Sequence, residues 1–391
     1  MGSLSAACHT GIDGEVFIGS IDSMDRGEIL QWLREMDETR LETLWKRADE
    51  VRATQVGDEV HLRGLIEISN YCVRQCAYCG INACSTGVTR YRMQRDEIIE
   101  CAKEAQRLDY GSVVMQAGED PGLTKEYIAD IIREIKQSTG LAITLSLGER
   151  DDDELRAWKE AGADRYLLRF ETSDPELYKR IHPALPGTLS DRFAQLERMR
   201  DMGYEIGTGV MVGVPGQSWE ILAQDIDTFR HYDMDMIGVG PFLPSPRTVL
   251  GGPEAASFTL DASHQVPNDE LTTLKTVALT RLVCPQANIP STTALATMDP
   301  DSGRELGLTR GANVVMPNVT PVQYRSLYEI YPGKACINET AQVCRGCLEG
   351  RIRSIGRMIG QGPGGRHTRK IRKAQGAPRR KLSIPKMASH L

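Results

Sequence analysis

Three cysteines, Cys72, Cys76 and Cys79, lie within the run SNYCVRQCAYCG. The spacing is C-x3-C-x2-C, which gathers three thiolates on one short loop, with Tyr78 directly before the last. The number three carries the information. A structural zinc closes its tetrahedron with four protein ligands. Iron–sulfur clusters are held by cysteine thiolates, and three of them on a cubane cluster leave one iron without a protein ligand, where chemistry can take place. Two bland readings stand beside this one. The thiols could be ordinary buried apolar groups, or a zinc knuckle completed by a distant ligand such as Cys84.

A second trio, Cys336, Cys344 and Cys347, falls in YPGKACINETAQVCRGCLEG with the spacing C-x7-C-x2-C. Again no fourth ligand is evident, and the nearest downstream histidine, His367, lies in the C-terminal tail. The preferred reading is a second iron–sulfur cluster, 2Fe-2S or 4Fe-4S, with one non-protein ligand, near the surface because it follows the last predicted strand. Zinc or plain reduced thiols are the alternatives. The other cysteines, Cys8, Cys84, Cys101 and Cys284, are scattered. Such usage points to metal ligands and reduced thiols rather than a disulfide framework, and so to a reducing cytoplasm.

The elements that must position these loops can be read from periodicity. Residues 26–50 carry apolar positions at helical spacing between paired charges, the pattern of one or two helices capping the N-terminus (1–59). Eight apolar runs then follow, at 63–70, 112–118, 141–149, 164–172, 204–215, 235–242, 287–294 and 312–318. Amphipathic stretches such as 95–108, 124–138, 152–162 and 218–232 separate several of them. Strands alternating with helices predict a parallel sheet. Eight units in about 260 residues match a complete (β/α)8 TIM-type barrel over 60–318. Asn70, Gln116, Ser146, Glu171, Gly213 and Thr292 end their runs, where barrel enzymes build their sites. The first cysteine loop follows the first strand, at that same mouth. An open doubly wound sheet is the less economical alternative.

Length and charge set the outer limits. The chain has 391 residues, long enough for a large core, and a formal net charge of −6. That balance hides an asymmetry. From Gly350 onward there are 12 Lys/Arg and no Asp/Glu, leaving residues 1–349 with 35 basic against 53 acidic groups. The segment 319–350 carries the second cysteine trio. The tail 351–391 is basic and poor in apolar residues, a composition that predicts disorder; it could meet an acidic protein face or simply be solvated. No apolar run approaches the ~20 residues that span a bilayer, and Asp13, Glu15, Asp22 and Asp25 argue against a transit peptide. Neither a membrane nor a nucleic-acid partner is expected.

The C-x3-C-x2-C loop closely resembles that of the radical S-adenosylmethionine (SAM) superfamily. In that superfamily the open iron of a 4Fe-4S cluster chelates the amino and carboxylate groups of SAM, and an electron from the cluster releases a 5′-deoxyadenosyl radical. Gln116-Ala117-Gly118-Glu119-Asp120 resembles the glycine turn that offers carbonyls to the methionyl ammonium. Glu171 and Arg192 are placed to bind opposite ends of a zwitterion, the arginine through a bidentate fork; ordinary surface pairing is the other reading. Gly207, Gly209, Gly213 and Gly216 suit either approach to the adenine or plain turns.

Within the superfamily, the stretches RGLIEISNYC, QAGEDPG, LSLGER, ADRYLLRFET, MVGVPGQ, GVGPFLPSP, STTALAT and ANVVMPNVTPVQYRSLYEIYPGKAC resemble the iron-iron hydrogenase maturases of the HydE family. The resemblance implies a cytoplasmic enzyme of H-cluster maturation. It implies a substrate that is an iron complex of carbon monoxide, cyanide and cysteine, delivered by HydG, with the product passing toward HydF and with ferredoxin or flavodoxin as reductant. It implies Cys72, Cys76 and Cys79 as cluster ligands, and Tyr78, Ala117, Gly118, Ser146, Glu171 and Arg192 as SAM contacts. Arg63, Gln116, Thr144, Arg169, Thr292, Thr293, Tyr328 and Tyr331 are implied as the polar substrate lining. Methylornithine synthase is the nearest rival, and the C-terminal trio with YRSLYEIYPGK favours the maturase. Biotin synthase is more remote. A metal-binding scaffold without radical chemistry is the non-enzymatic alternative.

Overall fold

The computed structural model describes residues 24–188 and 190–366. Two helices, α1 (Arg26–Arg34) and α2 (Glu38–Val56), lead into β1 (Glu59–Ser69). Strands and helices then alternate through α3 (Arg95–Arg107), β2 (Ser112–Ala117), α4 (Lys125–Thr139), β3 (Ala142–Ser146), α5 (Asp152–Ala161) and β4 (Arg165–Leu167). After α6 (Pro175–Ile181) and α7 (Arg192–Asp201) come β5 (Glu205–Val212), α8 (Trp219–His231) and β6 (Met236–Pro241). The chain continues with α9 (Glu270–Val283), α10 (Thr293–Met298), α11 (Gly303–Thr309), β7 (Val314–Val315), α12 (Val322–Arg325), α13 (Ala341–Ser354) and β8 (Met358–Ile359).

Local chemistry fixes these boundaries. α4 starts where the Thr124 hydroxyl accepts from Tyr127 N and stops at Gly140 in the left-handed region. Its Ile128, Ile131, Ile132 and Ile135 follow the spacing of one helix face and are buried against the sheet. A capping box between Asp151 and Glu154 opens α5.

The strands form one parallel sheet in the order β6-β5-β4-β3-β2-β1-β7, with β8 pairing to the start of β1. Along β1 the side chains alternate. Ile66 and Ile68 are fully buried in the core between sheet and helices, while Leu65, Glu67 and Ser69 take the opposite face. The seventh predicted strand, 287–294, is reduced to isolated parallel bridges, Asn288 to Met236 of β6 and Pro290 to Val314 of β7. Pro290 has no N–H to continue a ladder, and Thr292 already caps α10. These bridges nevertheless join the two ends of the sheet path.

The expected N-terminal helices take a definite place, and one sequence expectation needs correction. α1 and α2 pack along α8 and α9 on the outer flank, where buried Lys275 donates to Leu33 O and Glu35 O. The stretch from 351 is not wholly a tail: α13 runs on to Ser354, β8 follows, and residues 360–366 form a strap under the sheet. Pro363 O accepts from Arg165 (2.7 Å), and Gly364 O accepts from Arg63 (3.1 Å) and Asn288 (3.2 Å). Arg366 pairs with Asp233 and Asp235. Polar anchoring, not apolar burial, orders this segment, so composition could not reveal it. Residues 367–391, the rest of the predicted tail, lie outside the described residues, as do 1–23. Among the described residues no helix is long and apolar enough to cross a membrane.

Candidate radical centre

The loop carrying Cys72, Cys76 and Cys79 leaves β1 and is tied down from several directions. Val73 N donates to Glu119 O (2.9 Å), Ala77 N to Ile181 O (2.8 Å) and Gly80 N to Ile330 O (2.8 Å). Asn82 Nδ2 reaches Cys79 O at 2.8 Å, and Arg90 spans the carbonyls of Asn70, Ile81 and Asn82. Backbone groups satisfied in this way hold the three sulfurs to one region without regular secondary structure.

The turn after β2 is seated directly on that loop. Gly118 N donates to Ser69 O at 3.1 Å. A Cβ on Gly118 would lie 2.2 Å from Tyr71 O and 2.8 Å from Cys72 Cβ, so only glycine fits. Asp120 is fully buried and accepts a bidentate fork from Arg92 (2.7 and 2.8 Å) and the Ser69 hydroxyl (2.6 Å).

Burial dominates the electrostatics of the thiols. It raises the Cys72 thiol and pushes Cys76 up to about 12, with Arg192 opposing it there. Cys79 is raised further, again by burial first. Three sulfurs, one on a buried and two on half-buried cysteines, that would need a cation to ionise are a donor set that fits an iron–sulfur cluster, since thiolate–iron bonds would supply that charge. Among the described residues no three His, Cys, Asp or Glu side chains converge as ligands of one metal ion. Thiolates that hold a cluster would each take a different iron, so they need not meet at one ion. Cys84, the candidate fourth zinc ligand, is exposed.

Glu171 and Arg192 both sit beside Cys76, but each already has a protein partner. Glu171 adopts φ 63°, a strained conformation for a non-glycine residue and one that marks functional positions. Its carboxylate pairs with Arg169 Nε at 3.0 Å. Arg192, at the start of α7, donates through Nε to Glu149 (2.9 Å), through Nη1 to Arg169 O, and through Nη2 to His182 Nε2 (2.9 Å). The sequence reading set the two at opposite ends of one zwitterion; in the structure Glu171 pairs with Arg169, and Arg192 pairs with Glu149. Glu149, absent from the sequence-based site, also receives Arg74 Nη2 (3.1 Å) and the Ser190 hydroxyl (2.7 Å). Burial alone would raise its carboxyl, yet the Arg192 guanidinium and the Ser190 hydroxyl hold it well below the usual carboxylate range.

Deeper in, Glu67, Gln116 and Ser146 stand side by side on β1, β2 and β3. Gln116 Nε2 donates to Tyr328 OH (3.3 Å), and Glu67 binds Lys334 and Asn318 Nδ2 (2.9 Å). A Cβ on Gly238 would meet nothing closer than Arg169 Nη1 at 3.8 Å, and one on Gly240 would sit 2.8 Å from Thr292 Oγ1. Arg169 thus borders space that Gly238 leaves open, while Thr292 fills the room beside Gly240. Thr293 opens α10. Tyr331 is raised by burial, with Thr297 as its hydrogen-bond partner. Thr144 is buried with Oγ1 unpartnered among the described residues.

Arg63 stands apart from this lining. It points to the strap end of the sheet, bonding Gly364 O and Met236 Sδ (2.8 Å). Burial and then the nearby Arg165 lower it to about 9.

In the second trio, Cys336 turns in the left-handed region (φ 62°), and Cys344 and Cys347 sit one turn apart on α13. The Cys344 thiol hydrogen-bonds Cys336 and, with Arg304, lowers the Cys336 thiol despite partial burial. Arg304 Nη2 is 3.8 Å from Cys336 Sγ, and its Nη1 is buried without a partner among the described residues. Cys347 is exposed beside Arg351. A basic rim of this kind suits an anionic cluster.

Residues 66–229 match the radical SAM superfamily profile. The chain is 45% identical over 325 residues to the [FeFe] hydrogenase maturase subunit HydE of Thermotoga maritima, covering 83% of this chain and 89% of that protein. It is 31% identical over 280 residues to 3-methylornithine synthase of Methanosarcina acetivorans, covering 71% and 75% respectively. Among solved structures, that of methylornithine synthase (PylB) superposes with a TM-score of 0.71 at 25% identity, covering 86% of this chain and 94% of that one.

Proposed function

The chain belongs to the HydE family of radical SAM enzymes, and from that premise we propose that it acts in [FeFe]-hydrogenase maturation on an iron complex carrying carbon monoxide, cyanide and cysteine. Cys72, Cys76 and Cys79 would hold a 4Fe-4S cluster. Tyr78, Ala117, Gly118, Ser146, Glu171 and Arg192 would hold SAM beside it. Bound there, cluster and SAM together supply an electron and a 5′-deoxyadenosyl radical. The protein's own work is placement and exclusion of competing reactions. The Gly118 turn sets the backbone against the cysteine loop, and the Arg169–Glu171 pair fixes a strained carboxylate at its edge. Arg169, Gln116, Thr144, Thr292, Thr293, Tyr328 and Tyr331 offer an anionic complex a cation and hydrogen-bond donors. Arg63 would act from the far end of the same interior.

The observation that carries the reading is the fit of Gly118 onto Cys72, which leaves no room for any other residue in the turn. Closure of the sheet into a complete (β/α)8 barrel through the 288–290 bridges belongs to the same reading, because a closed interior keeps a radical from water. So do a second cluster at Cys336, Cys344 and Cys347, exchange with HydG and HydF, a ferredoxin or flavodoxin reductant, and a cytoplasmic setting. The test is an anaerobic assay of reconstituted protein with reductant and SAM. 5′-Deoxyadenosine and turnover of the iron–cysteine complex are expected. Turnover of lysine instead would assign a methylornithine synthase-like mutase.

A further inference from the structure

We propose that His182 is a positioning residue of the radical centre, donating an Nδ1–H hydrogen bond to the Cys76 sulfur and thereby raising the reduction potential of the cluster those cysteines hold. The inference rests on the cluster assignment above and goes beyond it.

His182 caps the C-terminus of α6 and is 2% exposed. Its Nδ1 lies 3.0 Å from Cys76 Sγ, and its Nε2 lies 2.9 Å from Arg192 Nη2. A guanidinium is a donor only. Nε2 must therefore present its lone pair to Arg192, which leaves the ring proton on Nδ1, facing sulfur. The nearest carboxylate oxygen, Glu149 Oε1, is 3.7 Å from Nε2 and outside hydrogen-bond range. Glu149 instead takes Arg192 Nε. The direction of the hydrogen bond to sulfur is thus set three groups away: Glu149 orients Arg192, Arg192 fixes the imidazole tautomer, and the imidazole donates to Cys76.

Two consequences follow. A protonated Nδ1 has no lone pair for iron, so His182, which lies against Cys76, does not become a fourth cluster ligand. It is not a base for the thiol either, which separates the pair from a Cys–His nucleophile. Hydrogen bonds to cluster sulfurs are among the factors that set cluster potential, and an N–H donor favours the more negative, reduced state. The backbone keeps donor and acceptor together, because Ala77 N donates to Ile181 O at 2.8 Å, tying the residue after Cys76 to the residue before His182.

The experiment is an EPR-monitored redox titration of anaerobically reconstituted full-length protein, as wild type, His182→Leu and His182→Asn. The midpoint is expected to move to more negative potential in the leucine variant and to return toward wild type in the asparagine variant, whose amide restores a donor near the Nδ1 position. An unchanged midpoint in a leucine variant of equal iron content overturns the inference. Because that variant could lose its cluster, wild-type protein labelled with 15N-histidine provides an independent measurement by pulsed EPR. A weak 15N coupling to the reduced cluster is expected; a coupling of the size of a bound ligand, or none, overturns it. A wild type that assembles no cluster sinks the cluster assignment and this inference together. A wild type that cleaves SAM but fails the histidine tests sinks this inference alone.

Discussion

Gly118 and Cys72 are packed so closely that the backbone of one leaves no space for a side chain facing the other. A Cβ on Gly118 would stand 2.8 Å from Cys72 Cβ, and closer still to Tyr71 O. The turn after the second strand and the cysteine loop after the first therefore behave as one unit. Gly118→Ala must push them apart by a substantial fraction of an ångström. Misplacements of that size can lower rates on the order of 10²-fold, so SAM cleavage is expected to fall by about that factor with the fold retained by circular dichroism. Wild-type cleavage in the alanine variant would break the link between this contact and catalysis.

The two cysteine trios sit in different surroundings. Cys76 is buried in the loop, with Arg192 and Glu171 beside it. Cys344 sits on a helix that follows the sheet. Cys76→Ser is expected to abolish formation of 5′-deoxyadenosine, whereas Cys344→Ser should retain much of it, with iron content lowered. Equal loss in two correctly folded variants would contradict separate roles.

Much of this arrangement could be read from the residues. The eight apolar runs mark β1 to β7 and the 287–294 segment to within a few residues, and the cysteine loop falls where the spacing put it. What escaped has physical reasons. Pro290 and the early cap at Thr292 cut the 287–294 strand to bridges, although its apolar content matches its neighbours. His182 comes from a helix 106 residues beyond Cys76, and a lone histidine in RIHP carries no spacing signal. Charge complementarity pointed to Glu171 and Arg192 but could not choose among carboxylates, so it carried no signal for Glu149, the partner that Arg192 takes. The strap at 360–366 is ordered by arginines reaching its carbonyls, an interaction that no composition measure registers.

Glu149 makes a testable pH dependence. Its folded-state pKa is depressed, so its contribution to stability is fully present above the unfolded carboxyl value of about 4.3 and is lost progressively as pH falls below it toward the folded value. Glu149→Gln leaves Arg74 and Arg192 facing an uncharged amide. Breaking a buried pair of this kind costs about 3–5 kcal/mol. Urea denaturation at pH 7 should show that loss, and the gap between variant and wild type should narrow at pH 3–4. A gap independent of pH would mean that the carboxylate charge contributes nothing.

The strap offers a test of fold rather than chemistry. Gly364 has φ 56°, and a Cβ there would lie 2.6 Å from His61 Cγ. Gly364→Ala is expected to cost about 1–3 kcal/mol through displacement of the carbonyl that accepts from Arg63 and Asn288. Thermal denaturation would register this as a lowered Tm. An unchanged Tm would mean that the strap is not anchored there.

Cys72, Cys76 and Cys79 would leave one iron of a cluster open to SAM. The direct measurement is EPR of the reduced, anaerobically reconstituted protein before and after SAM is added. The expected result is a 4Fe-4S signal that changes shape on SAM binding, is lost in Cys76→Ser, and is followed by release of 5′-deoxyadenosine. Protein that carries only zinc at these cysteines, or a cluster signal indifferent to SAM, would contradict it.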